Sequence, residues 1–144
     1  FLPNLFATLA TAPVALDTYV QASAILGKTS LSAQQKEAVY LATSQVNGCD
    51  YCLAAHTLFA GKAGLSAQDI VAARQGELNA YATLARQLTE SRGHLSDEQI
   101  AAARTAGIDD VKIIEVIALV AVQSLTNYLN NAALTEIDFP AIDA

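Results

Sequence analysis

The chain contains no Met and no Trp, and its 144 residues include only 3 Pro, 2 Cys and 6% aromatic residues. Two cysteines are too few for the disulfide scaffold of a small secreted domain. Charged residues are also scarce, at 15%, whereas apolar residues reach 53%. The apolar surplus is mostly Ala, which favours helix. We expect part of this apolar surface to be covered by a partner subunit in a homo-oligomer.

Basic residues are few as well, and they do not cluster. Eight Lys and Arg stand against fourteen Asp and Glu, for a net charge of −6 and a pI of about 4.6. Such a chain repels phosphate groups, so neither nucleic acid nor an anionic membrane surface is an expected partner.

Long apolar runs and targeting patterns are missing too. The longest run, Val116 to Val122, is far shorter than the roughly 20 residues of a membrane span. No cationic segment followed by an apolar stretch opens the chain, so we expect no signal peptide and a cytoplasmic protein. Because the sequence starts at Phe1 and lacks Met, we expect residues to precede it, which leaves a removed targeting segment open.

Helix start and stop signals divide the whole chain into helices. Ser residues followed three positions later by Gln or Asp predict capping boxes, and Gly residues predict helix ends. The predicted helices are Pro13 to Gly27, Ser32 to Asn47, Cys49 to Gly61 or Gly64, Ser66 to Gly76, Leu78 to Arg92, Ser96 to Gly107, and Asp109 or Asp110 to about Thr135. No alternating strand pattern and no linker is visible. We predict one all-α domain over residues 1–144, with six to seven helices.

The two cysteines form a CxxC pair, Cys49-Asp50-Tyr51-Cys52, at the predicted start of a helix. With His56 they lie at i, i+3 and i+7, on one stripe of that helix. The first turn of a helix and a nearby imidazole both favour the thiolate, which is the reactive form of Cys. This spacing predicts a thiol redox centre that closes as a disulfide.

Glu37 is the candidate that orients His56. It lies twelve positions before Cys49, in the preceding helix. Because two helices joined by Asn47-Gly48 are expected to be antiparallel neighbours, this carboxylate is able to face the stripe and complete a proton relay with His56.

Alternatives for these residues remain open at this stage. A zinc site would use Cys49, Cys52 and His56 with His94, Glu37 or water, although no second ligand pair exists. By itself His94 is typical of an exposed loop.

Two further groups of residues are expected to have packing or interface roles. The aromatic residues Tyr40, Tyr51, Phe59, Tyr81 and Tyr128 are expected to be packing residues, and Asn127 and Asn131 to serve packing or an interface rather than the site.

The spacing E-x11-C-x2-C-x3-H, formed by Glu37, Cys49, Cys52 and His56, resembles the core motif of the alkylhydroperoxidase D-like proteins in the carboxymuconolactone decarboxylase superfamily. The segment from Ser124 to Pro140 resembles the branch known as peroxidase-related. The resemblance implies an all-α fold, with Cys52 as the peroxide-attacking thiol, Cys49 as the resolving thiol, and His56 and Glu37 as the proton relay.

The same resemblance implies trimers or hexamers, an external dithiol reductant such as a lipoyl-bearing protein, and no bound cofactor or metal. One departure is Tyr51, which stands where the archetype has a second histidine. The CxxC pair is absent from members that decarboxylate a muconolactone, so that reaction is not expected here. The leading hypothesis is an alkyl hydroperoxidase in antioxidant defence; the alternative is a module for dithiol–disulfide exchange or redox sensing.

Overall fold

A computed structural model describes residues 1–140 of the chain, and these residues form eight α-helices and no β-strand. The all-α prediction is therefore confirmed, with one helix more than the highest number predicted. The helices are α1 (Asn4–Ala10), α2 (Pro13–Leu26), α3 (Ala33–Val46), α4 (Asp50–Lys62), α5 (Ala67–Arg74), α6 (Ala80–Ser91), α7 (Asp97–Thr105) and α8 (Asp110–Ala133).

Three capping boxes open α3, α5 and α7 as the sequence predicts. The hydroxyl groups of Ser32, Ser66 and Ser96 each accept a hydrogen bond from the backbone N–H three positions later, and the side chain at that position bonds back. Each such cap is worth about 1 kcal/mol.

The helix that the sequence analysis missed is α1. It has only seven residues and no side-chain cap from its own neighbourhood. Instead, Asp138 from the opposite end of the chain accepts the Asn4 backbone N–H at 2.7 Å. A cap that comes from 134 residues away leaves no local pattern in the sequence.

The core forms around α3, which packs against α4, α5, α6 and α8. Its apolar side chains interlock with those of α6 and α8, and the most deeply buried include Val39, Leu41, Leu84, Val116 and Leu119. Burying an aliphatic side chain of this size contributes about 1.5–3 kcal/mol. This packing holds the carboxyl end of α3 beside the second half of α8.

Polar side chains connect α3 and α8 inside the fold. The Ser44 hydroxyl accepts hydrogen bonds from the side-chain amides of Gln123 and Asn127 at 3.0 and 3.1 Å. The amide of Asn47 donates to Asn127 at 3.0 Å. Since buried polar groups are costly when unpaired, this network holds the two helices in one register.

Within residues 1–140, α8 is the one helix whose length and apolar character would also suit a membrane span. No span was predicted from the sequence, because no run is continuously apolar. The buried Gln123, Thr126, Asn127 and Asn130 on α8 face other helices of the fold, which is the pattern of a core helix.

Candidate functional site

The turn between α3 and α4 places the cysteine pair. Gly48 has a φ of +62°, a conformation that glycine adopts without strain, and it lies in the three-residue turn that connects α3 to α4. Cys49 follows as the N-cap of α4, and its sulfur accepts the Cys52 backbone N–H at 3.2 Å. The two cysteines form a disulfide, as their spacing predicts. Both are buried, with 0% and 3% of their surfaces exposed.

Glu37 and His56 meet across α3 and α4. The Glu37 Oε2 atom lies 2.8 Å from His56 Nδ1, and each side chain is 15% exposed. The antiparallel neighbourhood of the two helices therefore brings this carboxylate to the imidazole. A carboxylate on Nδ1 holds the ring in one orientation and leaves Nε2 for other proton exchange.

Two aromatic rings flank the His56 imidazole. The Tyr40 ring centroid lies 4.7 Å away and the Phe59 centroid 5.9 Å away. Burial, and then the neighbouring charge of Glu37, raises the pKa of Tyr40 well above its usual value. Tyr40 thus remains a neutral phenol, and the imidazole lies in a largely apolar setting that limits access of water.

A cavity of about 190 Å³ opens over Cys52. Five of its lining residues are Cys52, His56, Gln123, Thr126 and Asn130, and the remaining wall is mostly aromatic and aliphatic. That wall consists of Pro3, Leu5, Phe6, Tyr19, Tyr51, Ala55, Phe59 and Phe139. The combination suits a small apolar molecule whose reactive group points toward the sulfur.

Asn130 contacts the reactive pair directly. Its side-chain Nδ2 lies 3.4 Å from Cys52 Sγ, and the residue is 4% exposed. Its carbonyl oxygen is buried and has no hydrogen-bond partner among residues 1–140. Sequence analysis missed this residue, since nothing in an isolated Asn on a helix distinguishes it from Asn127 or Asn131.

Tyr51 joins both ends of the described chain over the cavity. Its hydroxyl accepts the Leu5 backbone N–H at 3.1 Å and donates to Asp138 Oδ1 at 2.9 Å. Its ring packs edge-on against Phe139, which also contacts Phe59. Burial, together with the hydrogen bond to Asp138, raises the pKa of Tyr51 to about 12, and the Leu5 N–H opposes this shift. We call the contacts among Tyr51, Leu5, Asn4 and Asp138 the terminal clasp.

Several expectations for single residues need correction. Tyr51 and Phe59 line the cavity rather than serving only as packing residues, and Tyr128 is 63% exposed. Their sequence context could not show which face of each helix meets the cavity. The predictions for Asn127 and His94 are confirmed, because Asn127 is buried in the α3–α8 network and His94 lies in an exposed loop.

The zinc alternative lacks a ligand cluster in the described part of the chain. With Cys49 and Cys52 joined as a disulfide, no group of three or more His, Cys, Asp or Glu side chains among residues 1–140 is arranged to hold a metal ion. His94 is not among the residues that line the cavity.

Solved structures with the same fold include two kinds of protein. A peroxidase-related protein from Silicibacter sp. TM1040 superposes with a TM-score of 0.81 and 18% identity, over 94% of this chain and 76% of its own. The debrominase Bmp8, as a Cys-to-Ala variant in complex with 2,3,4-tribromopyrrole, gives a TM-score of 0.82 and 20% identity, over 96% and 78%. The apo structure of Bmp8 gives a TM-score of 0.81 and 20% identity, over 96% of this chain and 78% of its own. At this level of identity the likeness concerns the fold.

Sequence comparison supplies the family. No curated protein sequence matches significantly. The model of the carboxymuconolactone decarboxylase family matches residues 10–91, which is more than half of the chain and includes Glu37, both cysteines and His56. This match confirms the predicted resemblance to the carboxymuconolactone decarboxylase superfamily. The chain belongs to the carboxymuconolactone decarboxylase family.

Proposed function

We propose that this protein is a thiol peroxidase that reduces organic hydroperoxides with the Cys49–Cys52 dithiol. The observation that carries the proposal is the position of Cys52, which forms part of the wall of an apolar cavity that also contains the His56 imidazole. Family membership supports an enzyme of this superfamily, and the disulfide supports redox chemistry.

In the first step, the Cys52 thiol gives its proton to His56 and attacks the terminal oxygen of the hydroperoxide. The O–O bond breaks, Cys52 becomes a sulfenic acid, and the departing alkoxide takes the proton from His56 and leaves as an alcohol. Glu37, 2.8 Å from Nδ1, stabilises the imidazolium that exists between the two transfers.

In the second step, the Cys49 thiol attacks the Cys52 sulfenic acid, and water leaves as the disulfide forms. Cys49 lies within the disulfide distance already, as the N-cap of the same helix. An external dithiol then reduces the pair and is itself oxidised. The family resemblance makes a lipoyl-bearing protein our candidate reductant, and a cytoplasmic location would keep such a dithiol reduced.

The test mixes the pre-reduced protein with one equivalent of cumene hydroperoxide and follows peroxide loss and free thiols together. We expect stoichiometric loss of both, no peroxide loss in Cys52→Ser, and a trappable sulfenic acid in Cys49→Ser. His56→Ala should slow the reaction at least about 100-fold. The matched control, His94→Ala, changes the other histidine and should react like the wild type. Peroxide turnover in Cys52→Ser would refute the assignment.

A second candidate is reductive dehalogenation of a small aromatic halide, which the debrominase neighbours and the aromatic cavity wall both favour. The Cys52 thiolate would take the halogen, the ring carbon would gain a proton, and Cys49 would displace halide as the disulfide forms. Release of one bromide per disulfide from 2,3,4-tribromopyrrole, without comparable peroxide consumption, would favour this function.

Dithiol–disulfide exchange without peroxidase turnover is the third candidate. The apolar cavity over Cys52 favours the peroxidase over this candidate, because exchange with a protein disulfide does not need a cavity of a size that suits a small apolar molecule. Burial of the two sulfurs does not separate the candidates, since the external reductant of the peroxidase must reach the same disulfide. Fast exchange with a protein disulfide together with slow peroxide loss would reverse this preference.

The predicted homo-oligomer also remains a proposal. Val111, Ile114, Ile117 and Tyr128 are exposed along α8, at spacings that place them near one face. We propose that a second copy of the chain covers this face. Light scattering should show an oligomer that Ile114→Lys weakens, while a monomeric wild type would contradict the proposal.

A further inference from the structure

Asn130 presents two functional groups to the reactive centre. Its Nδ2 lies 3.4 Å from Cys52 Sγ, and its Oδ1 is buried without a hydrogen-bond partner in the described part of the chain. The residue lines the cavity and is 4% exposed. Buried carbonyl oxygens are nearly always paired, so this one is a candidate acceptor for a donor group of a ligand in the cavity, reached by a small movement of the Asn130 side chain.

We propose that Asn130 is a catalytic residue that donates to the Cys52 thiolate and accepts a hydrogen bond from the O–H group of the hydroperoxide. The inference rests on the proposed peroxidase function and extends it to a residue outside the family motif that the sequence displays. It also predicts the orientation of the substrate in the cavity.

The donor half of the proposal, in which Asn130 donates a hydrogen bond to the Cys52 thiolate, follows from the contact of Asn130 with the Cys52 sulfur. The contact at 3.4 Å is made with the oxidised pair, and reduction separates the two sulfurs. The proposal requires that Cys52 Sγ keeps its contact with Asn130 Nδ2 in the thiolate form. The Asn130 amide is then a neutral donor to a buried negative charge, and such hydrogen bonds are stronger than those between neutral partners. The other hydrogen bond near the pair, from the Cys52 N–H, goes to Cys49 Sγ. Asn130 therefore stabilises the thiolate of Cys52 directly.

The acceptor half of the proposal, in which Asn130 accepts a hydrogen bond from the hydroperoxide, follows from the unpaired Asn130 Oδ1. In ROOH the thiolate attacks the oxygen that carries hydrogen. An O–H bond directed at Asn130 Oδ1 places this oxygen next to Cys52, with the R group toward the apolar wall. After attack the same hydrogen belongs to the sulfenic acid, so the bond persists while the alkoxide leaves and takes its proton from His56. Asn130 neither gains nor loses an atom in this step; it binds the hydroperoxide and orients it.

The experiment uses the full chain with Cys49→Ser, so that Cys52 is the single thiol. Serine is a good N-cap, so the start of α4 is retained. The Cys52 pKa is read from the ultraviolet absorbance of the thiolate against pH, and the rate with cumene hydroperoxide is measured above that pKa. Asn130→Leu should raise the pKa by about one unit and lower the pH-independent rate about tenfold.

Asn130→Asp is the second variant, with a carboxylate in place of the amide. It should raise the Cys52 pKa further than Asn130→Leu does, because it places a negative charge beside the thiolate. Loss of folding alone would not produce this order. Asn127→Leu is the matched control, since it removes a buried amide three residues earlier that bonds to Ser44 and Asn47 rather than to sulfur. It should lower stability and leave the Cys52 pKa unchanged.

An unchanged pKa in both Asn130 variants would overturn the donor half, and an unchanged pH-independent rate in Asn130→Leu would overturn the acceptor half. Failure of the proposed function is distinguishable from either result. If the protein with native Asn130 consumes no hydroperoxide, the peroxidase proposal and the acceptor half fail together, while the pKa order still decides the donor half.

Discussion

Replacing Tyr51 with Phe removes one hydroxyl and keeps the ring that packs against Phe139. Two hydrogen bonds of the terminal clasp disappear, the one from the Leu5 N–H at 3.1 Å and the one to Asp138 at 2.9 Å. A hydrogen bond to a charged group is worth about 1.5–3 kcal/mol, and a neutral one about 1 kcal/mol. Because Asp138 keeps its bond to the Asn4 N–H, we expect a loss of about 2–3 kcal/mol. For a chain of this size that lowers Tm by roughly 6–9 °C.

The pH dependence separates this explanation from a loss of packing. Tyr51 has a pKa of about 12 in the folded protein against 10.0 as its ordinary value, so the folded state holds the phenol proton more tightly. The stabilisation that this protonated phenol gives to the folded state is complete below about pH 10. It is lost as the pH rises toward 12, at about 1.4 kcal/mol of unfolding free energy per pH unit. The difference between wild type and Tyr51→Phe should therefore shrink by about 1.4 kcal/mol between pH 8 and pH 11.

Urea unfolding of the two proteins at both pH values measures these differences, and the other tyrosines cancel in the comparison. Tyr128→Phe is the matched control, because that side chain is 63% exposed, and it should change stability by less than about 0.5 kcal/mol. A gap between wild type and Tyr51→Phe that stays constant or grows at alkaline pH would refute the role assigned to the hydroxyl.

Two further predictions concern the cavity. Glu37→Gln keeps the shape of the side chain but removes the charge 2.8 Å from His56, and it should slow peroxide consumption about tenfold. The control Glu90→Gln, in an exposed ion pair with Arg86, should leave the rate unchanged. An equal effect of both substitutions would contradict the relay. Phe59→Ala opens the aromatic wall and should reduce kcat/KM for cumene hydroperoxide about tenfold while sparing hydrogen peroxide; an equal reduction for both would contradict a binding role for the wall.

Local chemistry explains why most of the fold was predictable. Capping boxes at Ser32, Ser66 and Ser96 act within four residues, so they are visible in the sequence and are present in the structure. The same holds for the cysteine pair, since a separation of three residues at a helix start already brings the two sulfurs together. The proximity of Glu37 and His56 followed from one further step, the short turn at Asn47-Gly48. Their catalytic roles stay predictions.

Contacts between distant segments decided the rest. The sequence by itself determined an all-helical chain and a thiol pair with its acid–base partners, because both depend on periodicity and short-range spacing. Only the tertiary structure showed that Asn130, 78 residues from Cys52, contacts its sulfur, and that Asp138 caps α1 and binds Tyr51. These contacts depend on how α8 and the two ends of the described chain pack over α4, and no local pattern encodes that packing.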